Sequence, residues 1–66
     1  MLSIDKNQMM LEHFEHIRYV SKERICIALK DVVITIQGDA MQVIALGKDE
    51  ILIEGTFKVM EFVYEK

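Results

Sequence analysis

One five-residue pattern occurs twice in this chain, as Ile34-Thr35-Ile36-Gln37-Gly38 and as Ile51-Leu52-Ile53-Glu54-Gly55. Side chains of a strand alternate between its two faces, so the two isoleucines of each copy point the same way. Glycine after such a run permits a bulge, a bend or a tight turn. The repeat predicts an all-β fold. It also predicts that Gly55 holds a backbone conformation unfavourable for a side chain.

The sequence around the repeat reads as further strands separated by short polar turns. Alternating apolar residues predict strands over 24–29, 32–37, 50–54 and 56–64. Gly38 and Asp39 are expected to break the strand that begins at Val32. Met41 and Val43 then continue on one side, and Leu46 ends the run after an irregularity at Ile44-Ala45. Gly47-Lys48-Asp49 is the clearest turn of the chain, and glycine at its first position is able to take a positive φ.

The segment over 9–20 has two interpretations. Its apolar residues recur at three-residue steps, which is typical of a helix stripe, whereas residues 16–20 alternate and are rich in β-formers. We favour two short strands over 9–14 and 16–20, and an N-terminal helix is the main alternative. Residues 1–8 are interpreted as a flexible arm or a short strand, and residues 9–66 as a single β domain.

Apolar residues are expected on both faces of several strands. Val33 is expected on the face opposite that of Ile34, and Leu52 on the face opposite that of Ile53. Met60 and Val63 are expected on the face opposite that of Phe62. A sheet with one wet face would alternate more cleanly. The pattern therefore predicts a small antiparallel meander that curls into a roll or barrel, or that stacks on a second copy.

Size and composition predict an oligomer. The chain has 66 residues, one cysteine and a hydrophobic fraction of 52%. Domains this small are marginally stable alone, and without a disulfide or a metal they often gain stability by association. We expect a homo-oligomer, with a dimer formed by edge pairing or face stacking as the leading form.

Charge and hydropathy exclude several classes of partner. The formal net charge is −3, and the basic residues are scattered, whereas nucleic-acid modules carry a clustered basic surface. No apolar run approaches the roughly 20 residues that span a bilayer. The sequence predicts a cytoplasmic protein without a nucleic-acid partner or a direct membrane span.

No catalytic, cofactor or metal site is predicted. His13 and His16 have no third ligand in view, and zinc needs three or four. Cys26 lacks a nearby base and is interpreted as a small packed side chain. The carboxylates of Glu50 and Glu54 are interpreted as a solvated strand face, so we expect no enzyme.

Flexible and exposed apolar side chains are the candidate contact residues, because methionine suits adaptable interfaces. The possible interface comprises Met9, Met10, Phe14, Val33, Leu52, Met60 and Val63. The candidate structural glycines are Gly38, Gly47 and Gly55.

The order and spacing of several segments carry a family resemblance. The closest segment is Asp49-Glu50-Ile51-Leu52-Ile53-Glu54-Gly55, and the pattern also includes His16-Ile17-Arg18-Tyr19-Val20, Arg24-Ile25-Cys26-Ile27, Ile34-Thr35-Ile36-Gln37-Gly38, Met41-Gln42-Val43, Leu46, Phe57, Met60 and Phe62. Over residues 9–64 the chain resembles the YabP/YqfC family of small sporulation proteins of endospore-forming bacteria.

The resemblance implies a non-enzymatic protein of the sporulating cell, peripheral at the forespore membrane, that contacts a membrane-protein partner. It implies no catalytic residues. A self-assembling structural or scaffold subunit is the second reading, and a small-ligand binder is the third.

Overall fold

The structure is a computed structural model that describes the backbone of residues 2–5 and 7–64 and the side chains of residues 7–64. Its six strands are β1 (Leu2–Asp5), β2 (Gln8–Glu12), β3 (His16–Val20), β4 (Arg24–Ala28), β5 (Val32–Leu46) and β6 (Glu50–Tyr64). The all-β expectation is confirmed. The N-terminal helix is wrong, because residues of the three-step stripe pair in β2 and β3 instead.

The strands form one antiparallel sheet in the order β1-β2-β6-β5-β4-β3. Strands β3 to β6 follow one another as a meander, whereas β2 pairs with β6 rather than with β3. The arm over 1–8 contributes a strand, because β1 pairs with β2. β1 and β3 lie at opposite ends of the order, so the sheet is not closed into a barrel.

Strands β5 and β6 pair with each other along their whole length, and each has a second strand neighbour only along its first part. β4 pairs with the first part of β5, from Val33 to Gln37, and β2 pairs with the first part of β6, from Glu50 to Glu54. The sheet thus has a β4 half, with the end of β6, and a β2 half, with the end of β5. The break expected at Gly38 and Asp39 is an irregularity within one strand, so a strand end there is wrong. The expected continuation to Leu46, with an irregularity next to Ala45, is confirmed.

The two halves cover a single core. Its buried members come from both halves and are Met9, Leu11, Ile25, Ile27, Ile34, Ile36, Met41, Ile51 and Ile53. Ile25 and Ile53 are 0% exposed, which a single layer of strands cannot achieve without a covering layer. The bent sheet is therefore a roll, and the repeated isoleucines are its centre.

Two glycines allow the bend. Gly55 has φ of 155°, and a Cβ there would lie 2.7 Å from Met41 Cα. A Cβ on Gly38 would overlap the carbonyl oxygen of Thr56. The prediction for Gly55 is confirmed. Gly47 lies in the turn before β6 and does not use the positive φ open to glycine, and a Cβ there would meet Glu50 at no less than 3.5 Å.

Turns from neighbouring strands satisfy the amides at the bend. The N–H of Met41 donates to the carbonyl of Lys22 (2.9 Å), and the N–H of Gly38 donates to the carbonyl of Glu23 (3.1 Å). The N–H of Gly55 donates to the carbonyl of Asn7 (2.9 Å). The irregular backbone therefore keeps these hydrogen bonds although it leaves the regular ladder.

Candidate protein-interaction site

Two segments of the long strands have a strand neighbour on one side only among the described residues. We call residues 56–64 of β6 the β6 edge, and residues 42–46 of β5 the β5 edge. They arise because β2 ends its pairing at Glu54 and β4 ends its pairing at Gln37. An exposed edge presents backbone donors and acceptors that can pair with a further strand.

The β6 edge carries apolar side chains on both faces. Met60 and Phe62 lie directly opposite Ile36 and Ile34, so they point toward the core face. Val59 and Val63 point to the outer face. Exposed large apolar residues here are Val59, Phe62, Val63 and Tyr64. Apolar residues on both faces are typical of a strand that lies inside a sheet and is buried on both faces of that sheet.

The structure corrects one detail of this pattern. Met60 and Phe62 are expected on opposite faces of their strand. Both lie on the core face, because they are two positions apart in one regular run. Val63 does face the other way, opposite Val33.

Open space runs beside the β6 edge. A groove of about 500 Å³ is lined by Asn7 and residues 55–60. Lys58 is the extra residue of an irregularity there, because Gln37 pairs with Val59 and the next position pairs with Phe57. The Nζ of Lys58 lies 2.6 Å from Oδ2 of Asp39, and this hydrogen bond and charge raise the pKa of Lys58.

The β5 edge adjoins a smaller apolar pocket on the outer face. The pocket has a volume of about 280 Å³, and its lining includes Met10, Ala45, Leu46 and Leu52. Leu46 is 61% exposed. Leu52 pairs with both Met10 and Ala45, so these three side chains form a row across three strands.

The predicted interface residues separate into outer and inner groups. Met10 lies opposite Leu52, and Val33 lies opposite Val63, so the structure brings these four together as two outer-face pairs. Val33 is buried beside Cys26 and Ala28 in a small outer cluster.

Three of the predicted contact residues belong to the interior. Met9 is 0% exposed and lies opposite Ile53 in the core. Its expected place at an interface is therefore wrong. Phe14 and Met60 are half-buried and pack against the core. Pairing of β2 with a distant strand buries Met9, and local sequence does not report such pairing.

Several exposed residues were missed, namely Tyr19, Val20, Ile44, Leu46, Val59, Phe62 and Tyr64. A signal for part of this set was present, since the run Phe62-Val63-Tyr64 places bulky apolar residues on both faces of the last strand. The β5 edge had a weaker signal. The irregularity expected at Ile44-Ala45 is present between Val43 and Ala45, but the sequence does not show which residues it turns outward.

Among residues 7–64, no three His, Cys, Asp or Glu side chains are grouped to hold an ion. Nδ1 of His13 lies 3.3 Å from Oδ2 of Asp49, at the surface. Cys26 is buried and accepts a hydrogen bond from the hydroxyl of Thr35 (3.6 Å). The side-chain amide of Gln8 donates to Glu54 (3.4 Å).

Comparison with protein-family models, with curated proteins and with solved structures finds no match to this chain. The described residues contain no helix long and apolar enough to cross a membrane. The features that bear on function are therefore the two edges and the sequence resemblance.

Proposed function

We propose that this chain is a non-enzymatic protein-contact module that works through the open edges of its rolled sheet. The observation that supports this is the β6 edge, where apolar residues line both faces of a strand that has only one strand neighbour. Proteins bind extended segments by adding them to such edges, where backbone hydrogen bonds give affinity and side-chain pockets give specificity.

The β5 edge is the proposed docking site for a partner protein. The pocket beside it supplies an apolar row, and Leu46, which lies opposite the core residue Ile51, is exposed at the end of the strand. Glu50, which also lines the pocket, supplies a negative rim. An extended partner segment with alternate apolar side chains and a nearby basic residue fits this arrangement.

The sporulation role follows from the resemblance to the YabP/YqfC family. We propose that the partner is a membrane protein at the forespore membrane and that this chain lies at the membrane periphery on the cytoplasmic side. Residues 49–55, the closest part of the resemblance, include Glu50 and Leu52 of the pocket.

Self-association is the second proposed property, and a structural or scaffold subunit is the corresponding alternative function. The exposed apolar residues of the β6 edge favour it, since an unprotected apolar edge is a site of association. Sedimentation of the full chain at micromolar concentration measures this property directly. A monomer at all concentrations would contradict the scaffold alternative and would not affect the partner-binding proposal.

The partner-binding proposal is tested in an endospore-forming host that carries the gene. Deletion is expected to lower the yield of heat-resistant spores, and Leu46→Lys is expected to reproduce that defect because it puts a charge into the β5 edge. The control is Lys30→Glu, an exposed change in the turn between β4 and β5.

The same variants test binding. The wild-type chain and Lys30→Glu should co-purify in detergent with a membrane protein encoded beside the gene, and Leu46→Lys should not. Normal spore yield after deletion, or equal co-purification of all three chains, would contradict the proposal.

A further inference from the structure

We propose that the β6 edge binds a second copy of itself, antiparallel, with Met60 of one copy opposite Met60 of the other. This pairing joins the β4 halves of two chains into one continuous sheet. It specifies the strand and the register of the self-association proposed above, and it rests on that property.

The β6 edge has the length and the free side that such pairing needs. Its nine residues all lie within β6, and their described strand partner is β5. The groove beside residues 55–60 leaves room for a further strand. Among the described residues no other strand of this chain reaches that side, because the pairing of β2 with β6 ends at Glu54.

The irregularity at Lys58 selects the register. Against β5, Lys58 and Val59 together face the single residue Gln37. We apply the same two-for-one count to the new pair, with Met60 on the two-fold axis. Glu61 of the second copy then lies opposite Lys58 and Val59, and Phe62 of the second copy lies opposite Phe57.

Each of these pairs is favourable. Phe57 and Phe62 both belong to the core face, so the aromatic rings meet across the strands on one side of the sheet. Lys58 and Glu61 have opposite charge and meet on the other side, where Lys58 also keeps Asp39 within 2.6 Å. Two-fold symmetry makes each contact twice, which is how a self-complementary edge favours a second copy over another strand.

Two alternative registers are less favourable. A pair centred on Glu61 sets two carboxylates directly opposite each other, and like charges in that position are destabilising. A pair centred on Phe62 aligns Met60 with Tyr64, so Phe57 and Lys58 no longer lie opposite Phe62 and Glu61 of the second copy.

Cysteine cross-linking tests the register in solution. Met60→Cys is made in a Cys26→Ala background, so each chain has one thiol. Directly opposite residues of an antiparallel pair have Cα atoms about 4.5–5.5 Å apart, within disulfide range. Oxidised glutathione should therefore give a covalent dimer.

The matched control is Glu61→Cys in the same background. In the proposed register its two thiols are two positions out of line, beyond the roughly 7 Å limit between Cα atoms. It should cross-link at least tenfold more slowly than Met60→Cys. Equal rates, or faster dimer formation by Glu61→Cys, would overturn the register while leaving self-association intact.

Sedimentation tests the strand that is used. The wild-type chain should be a dimer at micromolar concentration, Phe62→Lys should be a monomer with unchanged circular dichroism, and Leu46→Lys on the β5 edge should remain a dimer. A wild-type monomer overturns both the pairing and the self-association on which it rests. A dimer that only Leu46→Lys disrupts overturns the choice of edge alone. If Phe62→Lys does not fold, the cross-linking pair still decides.

Discussion

At the scale of single residues, the bend of the sheet depends on what one position lacks. Gly55 holds a φ of 155° beside Met41, and a Cβ there would lie 2.7 Å from Met41 Cα and 3.1 Å from the carbonyl oxygen of Ala40. These are backbone contacts on the opposite strand, so side-chain rotation cannot relieve them. The repeat of the sequence therefore ends in glycine for a steric reason.

Gly55→Ala is expected to destabilise the chain by about 1–3 kcal/mol, the usual cost of a strained backbone conformation. Gly47→Ala is the matched control, because a Cβ at Gly47 meets the Glu50 side chain at an ordinary 3.5 Å. The control should be neutral or stabilising by less than about 1 kcal/mol. Urea unfolding with a constant m-value measures both, and equal midpoints would contradict the steric argument.

Ala40 presents the opposite case, because it has a Cβ where the backbone disfavours one. Its φ is 52°, in the left-handed region, within the irregular part of β5. The left-handed conformation costs an L-residue roughly 1–2 kcal/mol, whereas glycine adopts it freely. Ala40→Gly should therefore raise the free energy of unfolding by a few tenths to about 1 kcal/mol, after the added chain entropy. A lower urea midpoint than the wild type would show that the strain is absent.

At the scale of elements, the turn between β3 and β4 supports the bend of another strand. Its carbonyls at Lys22 and Glu23 accept the N–H groups of Met41 and Gly38. Ser21 fixes the turn, because its hydroxyl donates to the carbonyl of Arg24 and accepts from the N–H of Arg24, both at 3.0 Å.

Ser21→Ala should lower the free energy of unfolding by about 0.5–1.5 kcal/mol, the usual net value of a hydrogen bond. Ser21→Thr retains the hydroxyl and should stay close to the wild type. Hydrogen exchange of the Met41 amide provides the second measurement, since a looser turn should expose it. Equal stability and equal exchange in the two variants would show that the Ser21 hydroxyl does not support the bend.

Element boundaries show how far the sequence alone leads. The strands predicted over 16–20 and 24–29 match β3 and β4 to within one residue, because each alternates cleanly between short polar turns. The segments predicted over 50–54 and 56–64 form the single strand β6. The continuation of the run to Leu46 was predicted, but a break was expected at Gly38 and Asp39. Glycine and aspartate usually end a strand, and here they accompany an irregularity within β5 instead. The burial of Met9 was missed for another reason, since it depends on pairing with a strand more than forty residues away.

The candidate site was predictable only in part. The outer-face pairs of Met10 with Leu52 and of Val33 with Val63 follow from apolar residues on both faces of a strand. The edges themselves are a property of strand order, and strand order is set by which distant segments pair. Local patterns cannot decide that order, so the β6 edge became visible only in the fold.

At the scale of the whole molecule, we expect this small roll to gain stability by association through its surface. Its core contains side chains from both halves of one sheet, so the halves should unfold together in one transition. The β6 edge adds apolar residues that the single chain leaves exposed. Pairing of two such edges links folding to association, because the unfolded chain has no edge to pair.

The melting temperature should therefore depend on protein concentration. A tenfold increase in concentration is worth about 1.4 kcal/mol to a dimer, and with typical unfolding entropies for a chain of this size it should raise the midpoint by roughly 5 °C. Phe62→Lys should melt at a lower temperature that is the same at every concentration, because the charge blocks the β6 edge. Leu46→Lys should keep the wild-type slope, since it alters the other edge. Calorimetry across a hundredfold range of concentration distinguishes the cases, and a concentration-independent midpoint for the wild type would mean that the chain folds without a second copy.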